Sequence, residues 1–170
     1  MSARESPRVM NVILVGLGGQ GVLKASDVLA EAAFLAGLDV KKADVHGMSQ
    51  RGGSVTSDVR FGPRVLSPMV PPGEADVVVV LAEEEVASGR ALVRPGGVLI
   101  TTAAIDPAEL PHHRSLNVAL LGMLSRHLDF APQAWEDALR SHLKPELHEV
   151  NLEAFRVGRE RAAAREMRDD

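Results

Sequence analysis

The feature that most constrains the fold is an apolar run that ends at a cluster of glycines and is followed by a helical pattern. Residues 9–15 are almost continuously apolar, which is typical of a strand buried on both faces of a parallel sheet. Glycine-rich residues 16–21 follow, and residues 22–36 place their apolar side chains on one helical stripe. This order predicts the beginning of a β-α-β unit.

The rest of the chain continues to alternate between strand and helix patterns. Residues 38–45 complete the β-α-β unit, and the alternation of apolar and polar residues at 54–61 indicates a half-exposed strand. That strand is expected to pair with residues 64–67 as a hairpin. Further strands are expected at residues 75–82 and 97–102, and helices at residues 83–92, 117–128, 135–143 and 152–170.

Together these elements predict a single domain spanning residues 1–170. Its class is α/β: a three-layer α/β/α, Rossmann-like arrangement around a mostly parallel sheet, with room for an antiparallel hairpin at one edge. A length of 170 residues and a hydrophobic content of 45% suffice for one such core.

The composition excludes several classes of function. A net charge of −4 provides no basic surface for nucleic acid, and no apolar stretch approaches the ~20 residues of a membrane-spanning helix. Because the N-terminus also lacks an apolar signal core, we expect a cytoplasmic protein. The absence of cysteine excludes disulfides, cysteine nucleophiles and ordinary iron–sulfur clusters held by this chain. The six histidines form no recognised metal-binding motif, so no metal site is predicted.

The glycines after the first strand have the spacing of a dinucleotide-binding fingerprint, at Gly16, Gly18 and Gly21. Glycine permits a tight turn and lets an anion approach the backbone, while the following helix offers free N–H groups and a positive dipole end. We therefore predict that this loop, including Gly19 and Gln20, contacts an anion. The alternative is a purely structural turn.

A second polar loop, residues 46–53, follows the second strand. Because the carboxyl ends of strands face the ligand crevice in α/β sheets, this loop is expected beside the first. Arg51, followed by Gly52 and Gly53, could grip a phosphate or carboxylate through its fork of donors, with Ser49 assisting. The alternative is a surface turn in which the arginine pairs with a neighbouring acid.

Several other polar or aromatic residues have a structural explanation that we prefer. Asp39 and Asp44 match only loosely the ribose-binding acid of the NAD fingerprint, so NAD is not expected. His46 fits a hydrogen-bonded structural histidine better than a proton shuttle. Asn117 is expected to cap a helix N-terminus, with a partly buried polar contact as the alternative. Trp135, the sole tryptophan, is expected to be a packing anchor.

Six short segments, taken in order, are more specific than any one of them. They are Gly16-Leu17-Gly18-Gly19-Gln20-Gly21-Val22-Leu23, His46-Gly47-Met48-Ser49-Gln50-Arg51-Gly52-Gly53-Ser54, Glu74-Ala75-Asp76-Val77, Pro95-Gly96-Gly97, and residues 117–122 and 151–158. In this order they resemble the gamma domain of pyruvate and 2-oxoacid:ferredoxin oxidoreductases, and most closely the beta subunit of the indolepyruvate enzymes.

The resemblance implies a thiamine-dependent reaction. A 2-oxoacid, such as indolepyruvate or another aryl or branched oxoacid, is decarboxylated, electrons pass through iron–sulfur clusters to ferredoxin, and coenzyme A takes the acyl group. This sequence has no Gly-Asp-Gly thiamine motif and no cysteine, so these cofactors are expected on a large partner subunit of an oligomeric complex.

The isolated chain is then expected to be inactive and to contribute no catalytic residue. Its implied role is to brace the active-site interface and to engage coenzyme A through the two glycine loops. The alternative is a free-standing sensor of a nucleotide or of coenzyme A. Neither nucleic acid nor a membrane is expected as a partner.

One departure from the family pattern lies between Pro107 and Asn117, where family members often carry a further strand and helix. The sheet is therefore expected to be one strand shorter. For this reason family contacts are not carried over to His112, His113 or Arg114.

Overall fold

Strands and helices alternate along the chain much as the sequence predicts. The computed structural model describes residues 8–47 and 52–169. The strands are β1 (Met10–Leu17), β2 (Asp39–His46), β3 (Ser54–Gly62), β4 (Ala75–Val80) and β5 (Val93–Thr101). The helices are α1 (Val22–Leu35), α2 (Val86–Leu92), α3 (Leu116–Ser125), α4 (Pro132–His142) and α5 (His148–Asp169). In this part of the chain, no helix is both long enough and apolar enough to cross a membrane.

The five strands form one mixed sheet in the order β2-β3-β1-β4-β5. β1 is parallel to β4, and β4 to β5, whereas β3 is antiparallel to both β1 and β2. Four strands therefore point the same way and β3 alone is reversed. The predicted α/β class with a mostly parallel sheet is confirmed.

The hairpin predicted between residues 54–61 and 64–67 is wrong. β3 lies inside the sheet, in register with β1 from Met10 opposite Phe61 to Leu17 opposite Ser54, and its other neighbour is β2. The antiparallel hairpin is thus β2–β3, with β2 at the sheet edge. Pairing with the apolar β1 buries far more of β3 than the short segment between prolines could, and proline cannot donate to a ladder.

Alternating side chains divide the buried residues between the two faces of the sheet. On the major face, Val12 and Leu14 of β1 join the larger core formed with α1, α3 and α4. On the minor face, Ile13 and Val15 join a smaller cluster on the side of α2. β1 is apolar on both faces because both are covered, as the continuous run predicts.

The central helix α3 is buried along residues 118–125 and packs closely against α5. Glycines make this approach possible: a Cβ atom at Gly122 would overlap the Phe155 carbonyl oxygen, and one at Gly158 would overlap the Ala119 carbonyl oxygen. At both points a glycine of one helix therefore lies directly against the backbone of the other helix.

Aromatic residues close the core beside α4. Trp135 is 1% exposed, and its ring centroid lies 5.6 Å from that of Phe130 and 5.3 Å from that of Phe155. Large aromatic rings at such distances stabilise a core through buried area and ring contact. The prediction of Trp135 as a packing anchor is confirmed.

The acid of the Glu74-Ala75-Asp76-Val77 segment has a structural role. Asp76 is 4% exposed and accepts hydrogen bonds from Arg8 (2.5 Å), Arg94 (2.6 Å) and the backbone N–H of Asn11 (2.8 Å). A buried carboxylate is tolerated because these donors replace its lost hydration. This network ties β1 to β4 and β5.

The segment that departs from the family pattern forms no further strand. Residues 102–115 contain three short 3-10 turns, and the sheet ends at β5. The expectation of a shorter sheet is consistent with this arrangement. The acidic residues Glu83–Glu85, predicted to open a helix, form a separate 3-10 turn before α2.

Replacing Gly158 by alanine tests the contact between α3 and α5. Helix propensity alone would make alanine more stable by about 1 kcal/mol, but the overlap with Ala119 forces the helices apart and costs about 1–3 kcal/mol or more. We therefore expect Gly158→Ala to lower the melting temperature by several degrees in thermal denaturation. The control is Arg156→Ala, an exposed change on the same helix. An unchanged or higher melting temperature for Gly158→Ala would contradict this packing.

The buried carboxyl of Asp58 makes stability depend on pH. Burial raises the pKa of Asp58 above its ordinary value of 3.8, although the Val70 N–H hydrogen bond and the charge of Arg60 oppose this effect. The folded protein therefore keeps a proton on Asp58 over a pH range in which the unfolded chain has released it. The resulting contribution to the free energy of unfolding is fully present below about pH 4. It is lost as the pH rises through the folded-state pKa.

Asp58→Asn should remove this pH dependence while keeping an oxygen that accepts from Val70. We expect the unfolding free energy of the wild type, measured in urea, to fall relative to that of the variant as the pH rises from about 4 to 7. Parallel pH profiles for the two proteins would show that Asp58 does not contribute in this way.

Candidate functional site

The carboxyl ends of β1, β4 and β5 lie at one edge of the sheet because these strands are parallel neighbours. At this edge, Leu81 N–H donates to the Val15 carbonyl oxygen at 2.8 Å. The reversed strand β3 begins at the same edge, since Ser54 lies opposite Leu17. The loops that precede β3 and follow β1 therefore meet there.

These two loops contact each other directly. The backbone N–H of Gly18 donates to the carbonyl oxygen of Gly53 at 2.9 Å. Gly52 has φ of 64°, in the left-handed region that favours glycine. The adjacency expected from the strand ends is confirmed. Ser49 and Arg51 lie outside the described residues, so their anion contacts stay predictions.

Within the first loop, the side chain of Gln20 closes the turn. Its Oε1 accepts a hydrogen bond from the Leu17 N–H at 2.8 Å, and its own backbone N–H donates to the Leu17 carbonyl oxygen at 3.2 Å. The side-chain oxygen is therefore engaged by the loop itself. A ligand contact by Gln20 stays a prediction.

Two glycines of the fingerprint are required for close packing. A Cβ atom at Gly16 would lie 2.8 Å from a Val22 methyl group and 3.1 Å from the Leu81 Cβ. Gly21 has φ of 81°, and a side chain there would overlap the amide of Asn117. Gly16 and Gly21 thus have the structural role that the alternative interpretation gave to the whole loop.

Gly18 and Gly19, by contrast, are exposed, although the Gly18 N–H already donates to the Gly53 carbonyl oxygen. A Cβ atom at Gly18 would meet only ordinary contacts, at 3.7 Å or more, and one at Gly19 would meet nothing within 4 Å. Helix α1 begins directly afterwards, and no side chain caps its first turn. An anion at this helix end would find backbone N–H donors and a positive dipole without a competing cap.

Asn117 does not cap a helix N-terminus, contrary to the preferred prediction. Helix α3 begins one residue earlier, at Leu116, and the Asn117 Nδ2 donates to the Gly21 carbonyl oxygen at 3.2 Å. The alternative, a partly buried polar contact, is correct. The amide reaches across from α3 because Gly21 leaves room for it.

A cavity of about 500 Å³ adjoins the glycine loop, and it is lined in part by residues that sequence reasoning set aside. Arg114 and His113 line it together with Gly19 and Gly21. The 3-10 turn His113–Ser115 holds them there, with the Arg114 N–H donating to the His112 Nδ1 at 3.1 Å. No pattern in the sequence indicates that the glycine loop and this turn meet, because the two segments are almost 100 residues apart.

The acids considered for a ribose are engaged elsewhere. Asp39 accepts from the Val65 N–H at 2.7 Å, and Asp44 accepts from Lys42 and from Ser57. Burial raises the pKa of Asp44, but these hydrogen bonds and nearby positive charges outweigh it and lower the pKa overall. Both carboxylates are therefore engaged within the fold, and the expectation that NAD is not the ligand stays a prediction.

The other polar side chains that the structure describes near this end of the sheet form no metal site. His46 is exposed at the end of β2. Across residues 8–47 and 52–169, no group of three or more histidine, aspartate or glutamate side chains is arranged to hold a metal ion. Among the described residues, the groups at this edge that suit an anion are backbone N–H donors and Arg114.

A family model described as pyruvate ferredoxin/flavodoxin oxidoreductase matches residues 11–112, which include the β-sheet and both glycine loops. The chain belongs to this family. The indolepyruvate oxidoreductase subunit IorB of Archaeoglobus fulgidus is 32% identical, over 88% of this chain and 93% of the relative. The enzyme class predicted from the sequence, a subunit of an oxidoreductase, is confirmed.

Solved structures with the same fold occur both as separate subunits and within longer chains. The keto/oxoacid ferredoxin oxidoreductase gamma subunit of Geobacter sulfurreducens matches over 92% of this chain and 98% of its own, with TM-score 0.72 and 23% identity. The 2-oxoglutarate:ferredoxin oxidoreductase of Magnetococcus marinus, solved with 2-oxoglutarate, coenzyme A and succinyl-CoA, matches over 92% of this chain but 31% of its own, with TM-score 0.79 and 21% identity. At these identities the structures establish the fold alone.

The different roles of the loop glycines can be tested by single replacements with alanine. Gly21→Ala places a side chain in the left-handed region and against Asn117, so we expect a loss of about 2 kcal/mol or more. Gly18→Ala meets only ordinary contacts and should change the unfolding free energy by less than about 1 kcal/mol. Urea denaturation measures both, and equal losses would contradict the assignment.

Proposed function

We propose that this chain is the small, gamma-type subunit of a thiamine-dependent 2-oxoacid:ferredoxin oxidoreductase, and that its glycine-loop site engages coenzyme A. Family membership supports the first part. The observation that carries the second is the uncapped N-terminus of α1, which opens beside Gly19 into a cavity lined by Arg114. Coenzyme A is anionic through its phosphates, which suits such a site.

The donor set fits a phosphate better than it fits a sugar or a base. Backbone N–H groups and a guanidinium both donate to phosphate oxygens, whereas Asp39 and Asp44 are occupied within the fold. A cavity of about 500 Å³ falls in the usual range of ligand pockets, roughly 300–1,000 Å³. The backbone at Gly19 and the guanidinium of Arg114, which both line the cavity, are the groups we propose to hold the phosphates.

The redox chemistry is assigned to a partner chain. This sequence contains no cysteine and no thiamine-binding motif, so the iron–sulfur clusters and thiamine diphosphate would reside on a large subunit, and ferredoxin would contact the complex. Thiamine diphosphate, where bound, supplies carbanion stabilisation for decarboxylation. This chain would brace that active site and orient coenzyme A, without a catalytic residue of its own.

The substrate we favour is indolepyruvate or another aryl or branched 2-oxoacid. Its support is the 32% identity to the Archaeoglobus fulgidus indolepyruvate oxidoreductase subunit. The single domain over residues 1–170 and the cytoplasmic location likewise remain predictions of the sequence.

Co-expression with a large-subunit reading frame from the same genome tests the assignment. We expect a stable complex whose 2-oxoacid oxidation requires this chain. Arg114→Ala should raise the KM for coenzyme A by about 10-fold, the loss of one charge-assisted contact, with kcat little changed. Arg156→Ala, an exposed arginine on α5, is the matched control.

The outcomes separate the two parts of the proposal. Full activity without this chain would refute its role as a subunit. An unchanged KM in Arg114→Ala would refute the coenzyme A contact by that residue. Tight binding of coenzyme A to the isolated chain in calorimetry, without any complex, would favour the free-standing sensor instead.

A further inference from the structure

The minor face of the sheet is covered over only part of its width. Helix α2 packs on β4 and β5, whereas the helix that packs on β2 and β3 is α1, which lies on the major face. Strands in α/β sheets normally bury both faces against other elements. Within the described residues, the minor face over β2 and β3 therefore lacks a helical layer.

A loop partly replaces that layer, and the sheet holds it in place. In this loop, residues 63–72, the N–H of Val65 donates to Asp39 at 2.7 Å and the N–H of Val70 donates to Asp58 at 2.8 Å. Arg60 donates to the Ser67 carbonyl oxygen at 2.8 Å. Anchors on both β2 and β3 thus fix the loop across the minor face.

The fixed loop presents apolar side chains to solvent. Within the loop, Val65 and Val70 are buried, whereas Leu66 is 79% exposed and Met69 is 49% exposed. A loop held by three hydrogen bonds orders these side chains before binding, which lowers the entropy cost of an interface. Exposed apolar side chains grouped in one ordered loop indicate an interaction surface more strongly than single exposed side chains do.

The same face continues along β2 to the candidate site. Val45 is 48% exposed and pairs with Thr56. Because Val55, the residue before Thr56, belongs to the core on the major face, Thr56 and Val45 lie on the minor face. From Asp39, which anchors the loop, to Val45 the strand runs about 20 Å, a length suited to a protein interface. We define Val45, Leu66 and Met69 as the open-face patch.

Charge at the rim of the patch indicates what kind of surface it fits. Lys41 is on the same face of β2, and Arg64 is exposed at the start of the loop. In residues 8–47 and 52–169, neither side chain forms an ion pair with this chain's own acids. A partner with an apolar centre and acidic side chains around it would be complementary, whereas a second copy would bring the same positive charges.

We infer that the open-face patch is the docking surface for the separate large chain that carries the redox centres. The inference rests on the proposed function. In the Magnetococcus marinus enzyme the same fold is 31% of one longer chain, so further protein is attached to it there. A second copy of this chain would supply no cysteine ligands for an iron–sulfur cluster. A large chain docked on this face would lie beside the loop whose Gly53 contacts Gly18.

The test compares the introduction of negative charge on the patch with the same change elsewhere. In co-expression with the large subunit, Leu66→Asp combined with Met69→Asp should weaken assembly at least about 10-fold in a binding titration. Phe34→Asp, at a 66% exposed apolar position near the end of α1, is the control and should assemble like the wild type. Both variants should retain the wild-type melting temperature, because the changed side chains are exposed.

Two further measurements keep the outcome decisive. If the aspartate variant unfolds, Leu66→Ser with Met69→Ser replaces it, and hydrogen exchange of the wild-type complex should show slower exchange at residues 64–70 than in the free chain. Normal assembly of a folded patch variant, or unchanged exchange, would overturn the inference while leaving the proposed function intact. Failure of the wild type to assemble at all would instead refute both.

Discussion

The site and the surface beside it both depend on the pairing of the reversed strand β3 with β1. Its register sets Ser54 opposite Leu17, so the loop before β3 arrives where the glycine loop leaves β1. The Gly18–Gly53 hydrogen bond then joins the two loops backbone to backbone. If the strand beside β1 were parallel to it, that strand would begin at the opposite end of the sheet. The loop before it would then lie far from the glycines.

Glycine serves this fold mainly by allowing backbones to touch. Gly21 admits the amide of Asn117, and Gly122 with Gly158 lets α3 lie directly on α5. Because α3 also carries Asn117 to the glycine loop, the packing of α3 on α5 helps to place a hydrogen bond at the site. Stability and the geometry of the site are therefore coupled through the same buried helix.

Sequence-based prediction was most successful for elements whose pattern of apolar residues follows directly from their own burial. The continuous apolar runs of β1 and β4 and the stripe of α1 predicted those elements to within a few residues. The hairpin partner of β3 was wrong because local turn signals at prolines cannot reveal a more apolar strand 40 residues away. The polar contact of Asn117 was only the alternative prediction, and Arg114 was set aside, because neither the α3 packing nor the 3-10 turns of residues 102–115 have a periodic signature.

What the sequence alone determined is the class of fold, the glycine loop at a strand end, and the absence of cysteine, which excludes a cysteine-held iron–sulfur cluster on these 170 residues. These follow from side-chain periodicity, from the freedom of glycine, and from composition, all of which are local properties. Only the tertiary structure decided that β3 pairs with β1, that Arg114 lines the cavity beside the glycine loop, and that, among the described residues, a loop instead of a helix covers the minor face over β2 and β3. Those features depend on strand order and register, which follow from how much area each pairing buries across the whole chain.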